Sequence, residues 1–137
     1  MSRLWHAIVF VAVSLFVSCA PVQETDQLQA EAVAKSWIGL VDAGQYDKAY
    51  EEYPARIKVS ETKKRFLERM RHRRAPLGIV VSRSLISSFA HQLQGAPTGN
   101  CELLVYHSSF AAKSSATEHV VVTRETGTWQ VSGYQIK

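Results

Sequence analysis

Residues 73–83, Arg-Arg-Ala-Pro-Leu-Gly-Ile-Val-Val-Ser-Arg, mark the point where a basic helix ends and an apolar strand begins. Pro76 has no backbone N–H and disfavours the α conformation at Ala75, so a helix that runs through Met70 must end here. Beyond Gly78 the residues are β-branched and alternate, which is typical of a strand. The stretch therefore separates a helical half of the chain from a β half.

The C-terminal half has the pattern of a four-stranded antiparallel meander. The first strand places five apolar residues on one face together with Arg83: Leu77, Ile79, Val81, Leu85 and Phe89. Turn chemistry at Gly95, Pro97 and Gly99 separates it from a second strand, about 102–111, in which Leu104, Tyr106 and Phe110 share a face. A third strand, 118–125, turns at Thr126-Gly127 into a last strand over 129–136.

The N-terminal half predicts three helices. The first begins at Leu28, carries Glu31 and Lys35 as an i,i+4 pair on its outside, and ends at Gly44. The second covers residues 46–53 and ends at Pro54, and its three tyrosines are predicted to pack: Tyr46, Tyr50 and Tyr53. The third begins near Ser60 as its N-cap.

Helices followed by a strand meander predict an α+β domain. An antiparallel sheet must bury one face, and in this chain only the helices are available to cover it. We therefore expect the N-terminal helices to pack in the concave face of a curved antiparallel sheet, the nuclear-transport-factor-2-like (cystatin-like) cone. With 137 residues, of which 46% are hydrophobic and 20% charged, the chain has room for one such globular domain, over residues 28–137.

The first residues predict an address outside the cytoplasm. Residues 1–18 have a positive start at Arg3 and an apolar run that is shorter than the ~20 residues of a membrane-spanning helix, as in a signal peptide. The ending Leu15-Phe16-Val17-Ser18-Cys19 is similar to a lipobox, which implies lipidation of Cys19 and a polar tether over 19–27. The alternative is an ordinary secretory signal that is cut nearby. With Cys19 lipidated, Cys101 is left without a disulfide partner, and we expect it to be a small buried hydrophobe.

Several short motifs together resemble the bacterial family known as domain of unknown function 4019, from about Gln29 to Lys137. The resemblance lies in Asp42-Ala43-Gly44, Arg74-Ala75-Pro76-Leu77-Gly78 with Ser82-Arg83, Phe110-Ala111-Ala112-Lys113, Glu118, and Trp129-Gln130-Val131-Ser132-Gly133-Tyr134. It implies a secreted or lipid-anchored protein and supports the predicted fold, and it lends no catalytic residue. Ala112 stands where asparagine is common in the family.

Arg83 is the candidate site residue on the apolar strand face. An isolated buried charge is very costly, so we expect Arg83 to pair with Glu118 on a neighbouring strand or to bind an anionic ligand. A bulge that turns Arg83 outward, or a purely structural ion pair, are the alternatives.

The segment from Arg56 to Arg83 concentrates positive charge. It contains ten basic residues and two acids, whereas the whole chain has a net charge of +4. A candidate patch for an anionic surface, such as lipid phosphates or lipopolysaccharide, consists of Lys63, Lys64, Arg65, Arg69, Arg71, Arg73 and Arg74. The alternative is a solvated helix face, and without interleaved aromatic residues we do not expect a nucleic-acid partner.

No catalytic or metal constellation stands out. His107 and His119 fall on adjacent predicted strands without a further ligand at suitable spacing, so we predict no metal and no cofactor. The sequence favours a non-catalytic binding or interaction module, monomeric or homodimeric, anchored by lipid in the cell envelope. Because Ala20 follows Cys19, we expect the outer membrane, with the domain facing the periplasm. A small-molecule enzyme of the isomerase or hydrolase type, using the cone cavity, is the second hypothesis.

Overall fold

The computed structural model describes residues 22–92 and 100–137. The predicted signal peptide over 1–18, Cys19 and the predicted turn residues Gly95, Pro97 and Gly99 lie outside the described residues. In the described ranges, no helix is both long and apolar enough to cross a membrane.

In the described residues up to 77, the chain forms four α-helices and a 3₁₀ turn. These are α1 (Val22–Asp42), α2 (Tyr46–Glu51), α3 (Ala55–Ser60), α4 (Lys63–Arg73) and the 3₁₀ turn Ala75–Leu77. Helix α1 starts six residues before the predicted Leu28, so 22–27 of the predicted tether is helical. Two hydrogen bonds of 2.8 Å from the Arg124 guanidinium to the Asp26 carboxylate hold this first part of α1 against the sheet.

The prediction of a helix start at Ser60 is wrong. Ser60 is the last residue of α3, a short helix that is absent from the sequence prediction, which assigns Pro54 only to the end of α2. Proline also suits the start of a helix, and here Pro54 directly precedes α3. The N-cap of α4 is Thr62, whose hydroxyl accepts a hydrogen bond of 3.4 Å from the Arg65 backbone N–H.

Over the part of the chain that the structure describes, the sheet has four antiparallel strands in the order β1-β2-β3-β4, so sequential neighbours pair throughout. The strands are β1 (Val80–Gln92), β2 (Asn100–Phe110), β3 (Lys113–Arg124) and β4 (Trp129–Ile136). Gly127 has φ +88° in the predicted hairpin turn between β3 and β4. The predicted α+β class, a helical N-terminal region followed by an antiparallel sheet, is confirmed.

The joint between α4 and β1, residues 73–83, forms as predicted. Helix α4 ends at Arg73, Pro76 lies in the 3₁₀ turn, and β1 begins at Val80. Gly78 connects them with φ +74°, and a Cβ at this position would lie 3.3 Å from the Ala111 Cβ. Only glycine fits this conformation without strain.

The predicted apolar face of β1 does not form, because β1 carries two irregularities. Register shifts against β2 lie between Val80 and Ser82 and between Leu85 and Ser87. Each shift interrupts the alternation of faces. Ile79 and Val81 are consequently 74% and 67% exposed, and Phe89 is half exposed.

The core lies between α1 and the face of the sheet on which α1 packs, called the inner face below. Trp37 of α1 is fully buried at its centre, stacks on Tyr53 with ring centroids 5.6 Å apart, and donates a 2.8 Å hydrogen bond to the Ala49 carbonyl. Tyr50 is buried, and Tyr46 packs against the same core, as predicted. The core residues of β2 are Leu104 and Tyr106. Helix α1 therefore packs at the centre of the core on the inner face.

Candidate functional site

Four charged side chains meet where the end of α1 approaches β1. Arg83 donates to both oxygens of Asp42, with Nη1 2.7 Å from Oδ2 and Nη2 3.1 Å from Oδ1. Its Nε lies 2.7 Å from Oε1 of Glu118. Arg74 completes the group, since its Nη2 lies 3.0 Å from Oδ1 of Asp42. We call Asp42, Arg74, Arg83 and Glu118 the ion cluster.

The expected ion pair between Arg83 and Glu118 is therefore present, but it differs in geometry from the prediction. Glu118 lies on β3, which is separated from β1 by β2, and Arg83 pairs in register with Ser108 of β2. Arg83 thus reaches across the middle strand on the inner face. The sequence analysis did not anticipate Asp42 as its second partner.

Glu118 is fully buried, and three donors satisfy its carboxylate. Besides Arg83, the hydroxyls of Ser108 and Tyr134 donate to it, each at 2.5 Å. A buried carboxylate is tolerated when it is paired and fully hydrogen-bonded. Burial and the adjacent Glu118 carboxylate raise the pKa of Tyr134, so that its hydroxyl stays protonated and remains a donor.

Arg74 is almost as buried, with 3% of its surface exposed. Its Nη1 donates a 2.7 Å hydrogen bond to the Gly78 carbonyl, and its guanidinium lies 4.6 Å from the centroid of the Phe110 ring. The predicted anionic-surface residue Arg74 is therefore internal. It holds the 73–83 joint to α1 and the sheet.

Within the ion cluster, the electrostatics of Asp42 and Arg83 favour their charged forms. Burial raises the pKa of Asp42, but the hydrogen bonds from Arg83 and Arg74 outweigh burial and hold that pKa below its ordinary value. Burial lowers the pKa of Arg83, and the bonds to Asp42 and Glu118 raise it above the ordinary value. A general acid or base works best with a pKa near the operating pH, and these shifts lead away from it.

A cleft of about 340 Å³ lies beside the ion cluster, between α1 and the inner face at β1 and β2. Helix α1 contributes Glu31, Lys35, Ile38, Gly39 and Asp42, and the sheet contributes Arg83, Leu85 and Tyr106. Burial and the charge of Glu31 raise the pKa of Tyr106 to about 12. The volume is at the lower end of the 300–1,000 Å³ that is typical of small-molecule sites.

Gly39 keeps this cleft open. It lies within α1, where glycine costs roughly 0.5–1 kcal/mol relative to alanine. Apart from its chain neighbours and the backbone of its own helix, no atom would lie within 4 Å of a Cβ built on Gly39, so close packing does not explain the glycine. Its one evident effect is to leave space between Ile38 and the ion cluster.

Glu31 and Lys35 do not form the predicted ion pair on the outside of α1. Both line the cleft, and neither has an ion pair with any residue in the described ranges. Glu31 accepts a hydrogen bond of 3.1 Å from the Gln27 side chain. Lys35 is an exposed residue of the cleft lining.

The basic segment is largely neutralised in the fold. Six of its ten basic residues form ion pairs with acids: Arg56, Lys58, Lys63, Arg69, Arg74 and Arg83. Arg69, for example, donates to both oxygens of Glu61 and to the Tyr134 carbonyl. Of the predicted patch, the residues without an ion pair to the described part of the chain are Lys64, Arg65, Arg71 and Arg73.

The remaining sequence candidates do not join the cleft. His107 lies 3.3 Å from the Ser115 hydroxyl, and within the described residues no group of three or more His, Cys, Asp or Glu side chains could hold a metal. Cys101 is buried, as expected, and burial together with the neighbouring Glu102 raises the pKa of its thiol. A raised pKa keeps the thiol protonated and unreactive.

Asp42, Lys35 and Gly39 belong to the site, although the sequence did not predict a role for them there. Two of them carried a local signal. Asp42 ends α1, where the helix dipole disfavours an anion, so its charge required compensation from elsewhere. Gly39 lies inside a predicted helix although glycine has a low helix propensity. Lys35 gave no such signal, because an exposed lysine on a helix is ordinary.

Comparison with known protein families identifies one match. The family model described as protein of unknown function (DUF4019) matches residues 33–134, which include the ion cluster and most of the cleft. None of the curated proteins matches the chain. The match covers well over half of the sequence and shows that the chain belongs to this family.

Proposed function

We propose that this member of the DUF4019 family is a non-catalytic binding module of the cell envelope, and that the cleft beside α1 is its ligand site. The observation that carries the proposal is the ion cluster. Asp42, which lines the cleft, and Glu118, which pairs with the cleft residue Arg83, are both engaged by arginines. The site thus offers a rigid, charge-compensated wall for binding.

The alternative of an isomerase or hydrolase would need an acid or base that can change its proton. Asp42 has a lowered pKa, and Tyr106 has its pKa raised to about 12. Neither group exchanges protons readily near neutral pH. Together with the arginine hydrogen bonds that occupy Asp42, these shifts support binding rather than proton transfer at these two groups.

We further assign the α+β domain to the nuclear-transport-factor-2-like cone. Helix α1 packs on one face of an antiparallel sheet, and the cleft lies along the C-terminal half of α1. Both features support this assignment. For the address we propose a lipoprotein anchored through Cys19 in the outer membrane, with the domain in the periplasm. Substitution Cys19→Ala should move the protein from the membrane to the soluble fraction, and retention in the membrane would refute the lipid anchor.

A homodimer through β1 is the assembly that we propose. Strand β1 is an edge of the sheet, and its single charged side chain, Arg83, is held in the ion cluster. An edge without free charges is open to pairing with a second copy. Val81→Lys should yield a monomer in analytical ultracentrifugation if this edge forms the dimer, and a dimer that persists would refute it.

Contact of the domain with an anionic surface is a second candidate function. The four basic residues of α4 that have no ion pair with the described part of the chain support it, at about 1 kcal/mol for each residue near an anionic membrane. Co-sedimentation with vesicles of anionic lipid should fall when Arg71 and Arg73 are replaced by glutamine. Binding that depends neither on anionic lipid nor on salt would exclude this candidate.

Native mass spectrometry tests the main proposal directly. The protein purified from its own envelope should carry a bound small molecule, and the variant Gly39→Leu should have lost it, because a side chain at Gly39 enters the cleft. A ligand retained by Gly39→Leu would place the site elsewhere. A wild-type protein that carries no ligand and binds none when titrated would refute the binding function.

A further inference from the structure

We infer that the ligand of the cleft is a small amphipathic carboxylate, which binds with its anionic head toward Lys35 and Arg83 and its apolar body along Ile38, Leu85 and Tyr106. This inference rests on the proposed binding function and goes beyond it by naming the chemical class. It follows from which polar atoms of the cleft are already engaged and which are left.

The acceptors of the ion cluster are engaged. Asp42 accepts three N–H groups, two from Arg83 and one from Arg74. Glu118 accepts from Arg83, Ser108 and Tyr134. A cationic ligand that bound to either of these two carboxylates would have to displace an arginine from it, which is costly.

The donors of the cleft are not exhausted. A guanidinium has five N–H groups, and the Arg83 side chain uses one from each of its three nitrogens, so two remain. Lys35 adds an ammonium group with no ion pair to the described residues. Both side chains line the same cleft. Charge-assisted hydrogen bonds from such donors are the usual means of holding a carboxylate.

Glu31 is the one acid of the cleft outside the ion cluster, and it limits how much negative charge the site tolerates. It lies one helical turn before Lys35 and is partly engaged by Gln27. A single carboxylate is therefore a better fit than a phosphate or a dicarboxylate. The same residue predicts that Glu31→Gln strengthens binding of an anion.

The apolar side of the cleft gives the ligand its body. Ile38 and Tyr106 are buried members of the core and present their edges to the cleft, and Leu85 is partly exposed there. The missing side chain at Gly39 provides room for the hydrocarbon. With water taking about 30 Å³ each, about 340 Å³ would otherwise hold roughly ten waters, which an apolar chain would displace.

The test is a titration of the full chain with octanoate, followed in two-dimensional amide NMR spectra, with octylammonium and 1-octanol as probes of the same chain length. We expect octanoate to shift the amide signals of Gly39 and Leu85 saturably, and to bind at least tenfold more tightly than octylammonium. Lys35→Met should weaken octanoate binding about tenfold, the loss of one charge-assisted bond. Glu31→Gln should tighten it two- to threefold.

Lys48→Met is the matched control, because Lys48 is an exposed helical lysine on α2 outside the cleft. It should leave the dissociation constant of octanoate unchanged. Gly39→Leu should abolish the shifts at Leu85 while its melting temperature stays at or above that of the wild type. That result separates a blocked cleft from a misfolded domain.

The outcomes distinguish the inference from the proposed function. Equal or tighter binding of octylammonium or octanol at the same amides would overturn the carboxylate class and leave the cleft as a binding site. Octanoate binding that survives Gly39→Leu, or that Lys48→Met weakens as much as Lys35→Met does, would overturn the assignment to the cleft. No saturable shift with any probe would overturn the inference, and the absence of a native ligand in mass spectrometry would then overturn the binding function as well.

Discussion

Removal of the Glu118 side chain tests whether the ion cluster holds the domain together. In Glu118→Ala, the guanidinium of Arg83 loses one of its two carboxylates, and the hydroxyls of Ser108 and Tyr134 lose their acceptor inside the core. Breaking a buried ion pair in this way typically costs about 3–5 kcal/mol. Since small domains are stable by roughly 5–15 kcal/mol, the variant should be close to its unfolding threshold.

The conservative variant Glu118→Gln separates charge from shape. Glutamine keeps the volume and can still accept from Arg83, so the loss reduces to the difference between a charged and a neutral hydrogen bond, about 1–2 kcal/mol. The matched control is Glu125→Ala, which breaks the pair with the largely exposed Arg56 and should cost at most about 1 kcal/mol.

Urea unfolding followed by tryptophan fluorescence gives the free energy of each variant from its midpoint and slope. The expected order of loss is Glu118→Ala, then Glu118→Gln, then Glu125→Ala. Equal losses below about 1 kcal/mol for the two alanine variants would refute the reasoning, because the buried cluster would then contribute no more than a surface pair.

Three further predictions concern single positions. The pKa of Asp42 in the folded protein lies below its ordinary value of 3.8, so the unfolded chain binds more protons than the folded one as the pH falls, and stability is lost. The variant Asp42→Asn should therefore flatten the decline of the urea midpoint between about pH 5 and pH 2. An unchanged decline would contradict this. Calorimetry should show opposite effects at two glycines: Gly39→Ala should gain about 0.5–1 kcal/mol, whereas Gly44→Ala, at φ +70°, should lose about 1–2 kcal/mol. Thr62→Ala should cost about 1 kcal/mol as the loss of an N-cap, and an equal cost for Ser60→Ala would contradict the observed cap.

The fold was predictable where its determinants are local. Pro76 and Gly78 act on their own backbone, and the alternation in β2 and β3 depends on neighbours two residues apart, so the joint and the meander could be inferred from short windows. The irregularities of β1 were not predictable in this way. Nothing in the sequence around Val81 distinguishes a valine in a β-bulge from one whose side chain points inward.

The candidate site was predictable only in part, for the same reason. An arginine on an apolar strand face needs an oppositely charged partner, and this requirement correctly predicted the ion pair of Arg83 with Glu118. The choice of Asp42 as a second partner depends on how the end of α1 docks against β1, which brings together residues 41 positions apart. The basic segment shows the converse, because acids from distant parts of the chain, such as Glu125 and Asp42, cancel a charge that the sequence presents as concentrated.

The attachment of Asp26 to Arg124 determines how far the cleft stands from the start of the domain. Gly39 follows Asp26 in the same helix, and a rise of 1.5 Å per residue puts it about 20 Å further along α1. Since Asp26 is fixed to the sheet, this separation is rigid. For the N-terminal tether that we propose, α1 would act as a spacer that places the mouth of the cleft in the aqueous space beyond the surface that holds the tether.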